Sequence, residues 1–219
     1  MLEPSVKLYI YEGVCLKEYR NLSGCEDMVH HPDWEEKIQT ESAGYLLGYK
    51  MLSYVPAIIL SLFAGAWCDH VGRKIPIVMP CFGTILAVLL YMVSMVCGIN
   101  TMLPLVLTGS AIRGMFGKSA VITMALHSYM SDVTSREERT QKLGQLLAMN
   151  YFGYFAGSLL AGALLGYTTY DVIFCVVVII MALAVTIGLL LLRESLPQAV
   201  IIDSDAPLKE KVKYFALNK

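Results

Sequence analysis

Arg113 and Lys118 stand inside a long apolar run, Leu103–Met130. A run of that length crosses a ~30 Å hydrocarbon core, which needs ~20 helical residues. At 1.5 Å per residue, Arg113 falls ~15 Å from the start of the run, near mid-membrane, and Lys118 about one and a half turns deeper. A cation there costs at least ~2.5 kcal/mol by insertion scales, so it requires a water-filled cavity or a partner. The apolar runs of this chain contain no Asp or Glu. The two cations are therefore expected to lack an acidic partner, and a cavity biased to positive charge favours an anion such as a carboxylate. His127 lies near the far end of the same run. Histidine is the side chain that ordinarily changes charge in the range of about pH 5 to 8, so His127 is the candidate for carrying a proton. Asn150 and Tyr154 place polar groups in another run, where they can reach a cavity or bond to a neighbouring helix.

The elements that must hold these residues are membrane helices. The chain has 219 residues, of which 56% are hydrophobic and only 16% charged, with mean hydropathy +0.58. That is too apolar for a soluble domain, and points to an all-α integral membrane protein. Five runs are long enough to span: 45–67, 75–97, 103–130, 143–166 and 172–192. Helix is the conformation required, because backbone groups in lipid must be satisfied within the segment. Lys50 lies ~7 Å from an end of its run and snorkels to the interface. The connections alternate in charge. Residues 98–102 and 167–171 hold no Lys or Arg, whereas Arg73, Lys74, Arg136, Arg139, Lys142 and Arg193 lie on the opposite side. The positive-inside rule puts the second set in the cytoplasm and residues 1–44 outside.

Other chemistry is not indicated. The net charge of −1 suggests no nucleic-acid partner. Six cysteines show neither a C-x-x-C pair nor metal-ligand spacing, and His30–His31 reads as a solvated pair. The spans offer no nucleophile–base pair and no cofactor loop. No enzyme, metal or cofactor is expected.

Between the first two runs lies Gly65-x3-Asp69-x2-Gly72-Arg73-Lys74. Gly65 can let two helices approach closely. Asp69 ends an apolar run and can pair with Arg73 four residues on, or with a helix N-terminus. Gly72 suits a tight turn, and Arg73 and Lys74 hold the loop at the cytoplasmic face. This pattern resembles the loop between the second and third helices of major facilitator superfamily transporters. Asp132-x6-Arg139 resembles the loop after their fourth helix, and Arg113-x3-Gly117 their fourth-helix arginine motif. The resemblance implies that Gly65, Asp69, Gly72, Arg73, Lys74, Asp132 and Arg139 form a cytoplasmic gate. It also implies alternating access, in which two six-helix halves rock about a midplane site holding Arg113, Lys118, Asn150 and Tyr154. Gly144, Gly153, Gly157, Ala161, Gly162 and Gly166 place small residues along the run 143–166, where helices can pack backbone to backbone. That series nearly matches the fifth-helix glycine motif of drug–proton antiporters, but Ser158 replaces its proline.

An outside N-terminus followed by five spans would require a polar head carrying Lys7, Lys17, Arg20 and Lys37 to cross unaided. The expectation is therefore the N-terminal half of a twelve-helix carrier with most of its first helix missing, Val6–Tyr11 being the outer end. The C-terminal half would be its partner, with lipid around it and a small organic anion and protons as its cargo. Residues 1–44 hold an N-glycosylation sequon at Asn21, and Cys15 and Cys25, which can pair with each other or with a cysteine elsewhere. Residues 193–219 read as a basic cytoplasmic linker, with Leu208, Val212 and Phe215 at helical spacing and Lys209, Lys211 and Lys213 between them. The first outer loop and both charged loops are together similar to the family of the proton-coupled folate transporter and the thymic stromal cotransporter. That similarity implies proton-coupled symport of an organic anion, folate-like or another carboxylate, at the plasma membrane or an endolysosomal membrane. The alternatives are a non-transporting truncated isoform that associates with a complete carrier, and a drug–proton antiporter.

Overall fold

The computed structural model describes residues 2–19, Cys25 and 32–192, without the side chains of 19, 32, 33, 66 and 69–71. Asn21, His30, His31 and the basic segment 193–219 fall outside the described residues. The described chain is helical, in order α1 (Leu2–Tyr19), α2 (Pro32–Val71), α3 (Lys74–Val96), α4 (Ile99–Met115), α5 (Lys118–Val133), α6 (Arg139–Tyr167) and α7 (Tyr170–Leu191). Four stretches are long and apolar enough to cross a membrane: Trp34–Gly65, Lys74–Val96, Arg139–Tyr167 and Tyr170–Leu191. The run expected as one span, 103–130, is instead divided between α4 and α5. The physical reason is Gly117, at φ +85°, which takes the left-handed conformation that interrupts a helix.

Glycines also make the turns. Gly72 (φ +108°) joins α2 to α3 and Gly98 (φ +88°) joins α3 to α4, each in a region that side chains disfavour. α1 is 18 residues long, ~27 Å at helical rise, and so extends well beyond the short outer end Val6–Tyr11 that the sequence suggests. It is held at its C-terminal end by three contacts. Cys15 is disulfide-bonded to Cys25, Lys17 Nζ donates to Tyr45 Oη at 2.9 Å, and Lys37 pairs with Glu18.

α3 packs on α4 and α7, and α2 packs on α4. The core they share with α1 is centred on Tyr9, Tyr49, Tyr91 and Phe174. Tyr9 meets Phe174 edge-on, with ring centroids 5.7 Å apart, and its hydroxyl bonds Ser94 Oγ at 2.9 Å. This pairing lets an aromatic polar tip lie inside the bundle without an unmatched group. α6 is different. Ala161 is its one buried residue, and Tyr151, Phe152, Tyr154, Phe155, Leu159 and Leu160 are exposed. Four of the glycines expected to seat a neighbour there find open space among the described residues. A Cβ added at Gly144, Gly153, Gly162 or Gly166 would find nothing within 4 Å, and the same is true at Gly65. In this structure the close helix approaches use other glycines.

Candidate functional site

The close approaches lie at the break between α4 and α5. Gly114 sits so near α2 that a Cβ there would be 2.6 Å from the Ser53 carbonyl oxygen and 2.7 Å from that of Leu52. Phe116 lies over Gly83 of α3, where a Cβ would be 2.3 Å from Phe116 Cβ. Gly117 N–H bonds the Gly114 carbonyl at 2.9 Å, closing the last turn of α4. Lys118 opens α5 at φ +48°, the one non-glycine residue with positive φ among those described. For a residue with a Cβ that conformation costs about 1–2 kcal/mol. The break therefore consists of a cramped glycine pair followed by a strained lysine.

This geometry brings both cations to one carboxylate. Glu3 Oε1, from the first turn of α1, lies 3.0 Å from Arg113 Nη1 and 2.9 Å from Lys118 Nζ. The cations are buried, with side chains 12% and 5% exposed, and Glu3 covers them at 34%. Lys118 Nζ also sits 3.5 Å above the centroid of the Tyr54 ring, within cation–π range. Tyr49, fully buried, places its hydroxyl 3.4 Å from Arg113 Nη1. Among the described residues, Arg113 Nε has no hydrogen-bond partner, and Lys118 Nζ makes no well-directed hydrogen bond despite its ion pair. Among the described residues, two buried cations and one carboxylate leave one uncompensated positive charge.

The expectation that Arg113 and Lys118 lack an acidic partner is thus overturned. The five apolar runs indeed hold no acid, but α1 supplies one from a segment whose polar residues read as an outer loop. The signal was present in the sequence. Leu2, Val6, Tyr9, Ile10 and Val14 follow helical spacing, and the structure buries all five. Tyr49 and Tyr54 were missed as well, because nothing distinguishes them locally from other apolar positions of α2.

Asn150 and Tyr154 do not join this cluster. They line a groove of about 490 Å³ between α5 and α6, together with Ser119, Thr123, His127 and Gly153. The groove lining does not include Arg113 or Lys118. Ser119, Ile122, Thr123, Leu126 and His127 present one face of α5 to it, at i, i+3, i+4, i+7 and i+8. The residues expected in one cavity therefore form two sites: a buried charged cluster against α1 and α2, and a mostly apolar groove.

The charged turns come together at one end of the bundle. Arg73 Nε lies 3.0 Å from Asp132 Oδ2, at the end of α5. Arg139 Nη2 donates to the Ser131 carbonyl at 2.8 Å. That carbonyl belongs to the last turn of α5, where the helix leaves its own acceptors unmatched and negatively polarised. Lys74 Nζ does the same for α7, donating to the Leu189 carbonyl at 2.5 Å. Arg73 and Lys74 thus join helix ends that are far apart in sequence, and Arg139 ties the start of α6 back to the end of α5. Asp69 closes α2 one turn earlier, but its side chain is outside the described residues, and Gly72 makes the turn.

Comparison with known proteins follows the same lines. The family model for the Major Facilitator Superfamily matches residues 37–216. The chain is 28% identical over 156 residues to Multidrug resistance protein 2 of Bacillus subtilis (strain 168), covering 70% of this chain and 36% of that protein. It is 28% identical over 178 residues to the "Lysosomal proton-coupled steroid conjugate and bile acid symporter SLC46A3" of Gallus gallus, covering 76% and 37%. It is 29% identical over 169 residues to the "Probable peptidoglycan muropeptide transporter SLC46" of Drosophila melanogaster, covering 74% and 32%. The chain spans about a third of the length of these relatives.

Proposed function

This chain belongs to the major facilitator superfamily, and on that premise we propose that it forms the N-terminal half of a secondary transporter that moves an organic anion together with protons. One observation carries the reading: the buried Arg113–Lys118 pair at the break in a membrane helix, with a surplus positive charge over Glu3. A discontinuous helix near the bilayer centre is where transporters of this kind bind solute, because freed backbone and charged groups there face a cavity rather than lipid. The cations hold the anionic group of the solute. The α5–α6 groove takes its apolar body against Ile122, Leu126, Leu147 and Met149, with Asn150 and Tyr154 as orienting hydrogen-bond groups. His127, on the same groove, carries the proton.

Alternating access requires a latch that forms and breaks. Arg73–Asp132 and Arg139 on the Ser131 carbonyl join α3, α5 and α6 at the cytoplasmic face, and Asp69 completes the loop. Asp132 keeps a third of its side chain exposed while Arg73 is buried, so solvent can reach the pair from the Asp132 side, which suits a contact that must open in every cycle. The bile acids and steroid conjugates named for the Gallus gallus relative are amphipathic anions, a class that matches a charged cluster plus an apolar groove. The Bacillus subtilis relative favours drug efflux as a second reading. An electropositive site opposes it for the cationic compounds typical of that chemistry, and Ser158 replaces the proline of the antiporter motif. The membrane is the plasma membrane or an endolysosomal one.

Two measurements test the proposal. An immunoblot of deglycosylated native protein should give a band near twice the 24.2 kDa of this chain; a band at that mass itself would favour the non-transporting isoform. Cells expressing the complete carrier should take up cholate faster as external pH falls, and Arg113→Ala should abolish this at equal surface expression. Unchanged uptake in Arg113→Ala removes the cluster from the transport site.

A further inference from the structure

Glu3 is the least expected member of the cluster, and its position suggests more than charge balance. A carboxylate that served only to neutralise buried cations would meet them one for one. Here both cations converge on a single oxygen, Oε1. The cations lie behind it, nearly inaccessible, while the Glu3 carboxylate is a third exposed. An anion entering the site therefore meets Glu3 first and competes with it for the same two groups. The groups around it come from every neighbouring side: Arg113 from α4, Lys118 from α5, and the Tyr49 hydroxyl from α2, with the Tyr54 ring under Lys118. Arg113 keeps Nε unmatched even with Glu3 in place, so donor capacity remains for a second acceptor.

We infer that Glu3 is a specificity-determining residue: a built-in carboxylate that shares the Arg113–Lys118 site with the solute and limits it to one negative charge. The inference rests on the transport reading above and deepens it. With Glu3 ionised, the cluster holds one surplus positive charge, which one carboxylate or one sulfate neutralises. A dianion would bring two acceptors into a site already holding Glu3, and like charges juxtaposed in a desolvated place are strongly disfavoured. Removing the Glu3 charge should therefore enlarge the accepted charge by one and leave recognition of the apolar body intact.

The experiment compares uptake of cholate, which carries one negative charge, with that of cholate 3-sulfate, which carries two, by the complete carrier. The wild type should prefer cholate, and Glu3→Gln should shift the cholate to cholate 3-sulfate uptake ratio toward the dianion by on the order of tenfold. The double variant Glu3→Gln with Lys118→Met again leaves one positive charge and should return the ratio to the wild-type value. A purely structural role for Glu3 would not produce that return. If Glu3→Gln does not reach the membrane because its two cations are left unpaired, the double variant, which relieves this, is compared with Lys118→Met alone. Lys118→Met alone leaves no surplus charge and should take up both anions poorly. An unchanged ratio in Glu3→Gln, or a double variant that behaves like Lys118→Met, overturns the inference while leaving the transport reading in place. If Arg113→Ala leaves cholate uptake intact, the transport reading itself fails, and the inference fails with it.

Discussion

Gly114 offers the sharpest test of how the site is built. An added Cβ at this position would stand 2.6 Å from the Ser53 oxygen and 2.7 Å from the Leu52 oxygen, whereas ordinary contact begins at 3.4 Å. Both obstacles are helical backbone, so no side-chain rotation relieves them. In Gly114→Ala, α4 must retreat from α2 by ~0.8 Å, a gap that forfeits a quarter to a half of the dispersion energy of each contact along the seam. Overpacking of this kind costs about 1–3 kcal/mol. Alanine's advantage over glycine in a helix returns about 0.5–1 kcal/mol. The net expectation is a loss of up to about 2.5 kcal/mol, centred near about 1 kcal/mol. The control is Gly44→Ala in α2, where an added Cβ meets nothing within 4 Å and only the helix advantage applies. Thermal unfolding of the detergent-solubilised carrier, followed by fluorescence-detected size exclusion, should show Gly114→Ala melting below the parent and Gly44→Ala at or above it. Anion uptake should fall in Gly114→Ala as well, because the retreat carries the adjoining Arg113 away from Glu3. A Gly114→Ala protein that melts with the parent would refute the close approach, and with it the account of how Arg113 is aimed.

Further outcomes follow from the same geometry. Substituting Arg73→Ala and Asp132→Ala singly and together should give a coupling energy on the order of 1 kcal/mol in a double-mutant cycle on stability, and simple additivity would exclude the pair. Maleimide labelling without reductant should modify Cys97, which is exposed at the turn after α3, and leave Cys15, Cys25 and buried Cys68 unmodified. Reduction should add Cys15 and Cys25 to the labelled set and destabilise the protein by about 2–3 kcal/mol, as expected for a short closed loop; labelling of Cys15 before reduction would contradict the bond. His127→Gln should flatten the rise in anion uptake as external pH falls, since glutamine cannot take up and release a proton. An unaltered slope would assign the proton to another group.

Much of this protein was legible in its sequence, for a reason peculiar to membranes. Lipid leaves backbone groups no partner outside the segment, so apolar length alone dictates helix. Gly72, between an apolar run and Arg73-Lys74, marks a turn because few other residues adopt its conformation. Family membership could be read from the charged loops, where Asp69, Arg73, Asp132 and Arg139 stand at fixed spacings between apolar runs. What the sequence could not supply was which residues meet. Glu3 and Arg113 are separated by 110 positions, and no local rule links them; only the packing of α1 against α2 and α4 does. The break at Gly117 was hidden for a related reason: an isolated glycine inside an apolar run is usually tolerated, and here neighbouring helices decide otherwise by seating Phe116 on Gly83 and Gly114 on Ser53. Conversely, Gly144, Gly153, Gly162 and Gly166 of α6 announced close approaches that the described residues do not make, because small residues permit close packing but cannot summon a partner. Apolar length and turn chemistry are properties of a segment and survive in the sequence. A buried ion cluster is a property of three helices at once, and how much of its positive charge is left uncompensated was decided only when the chain folded.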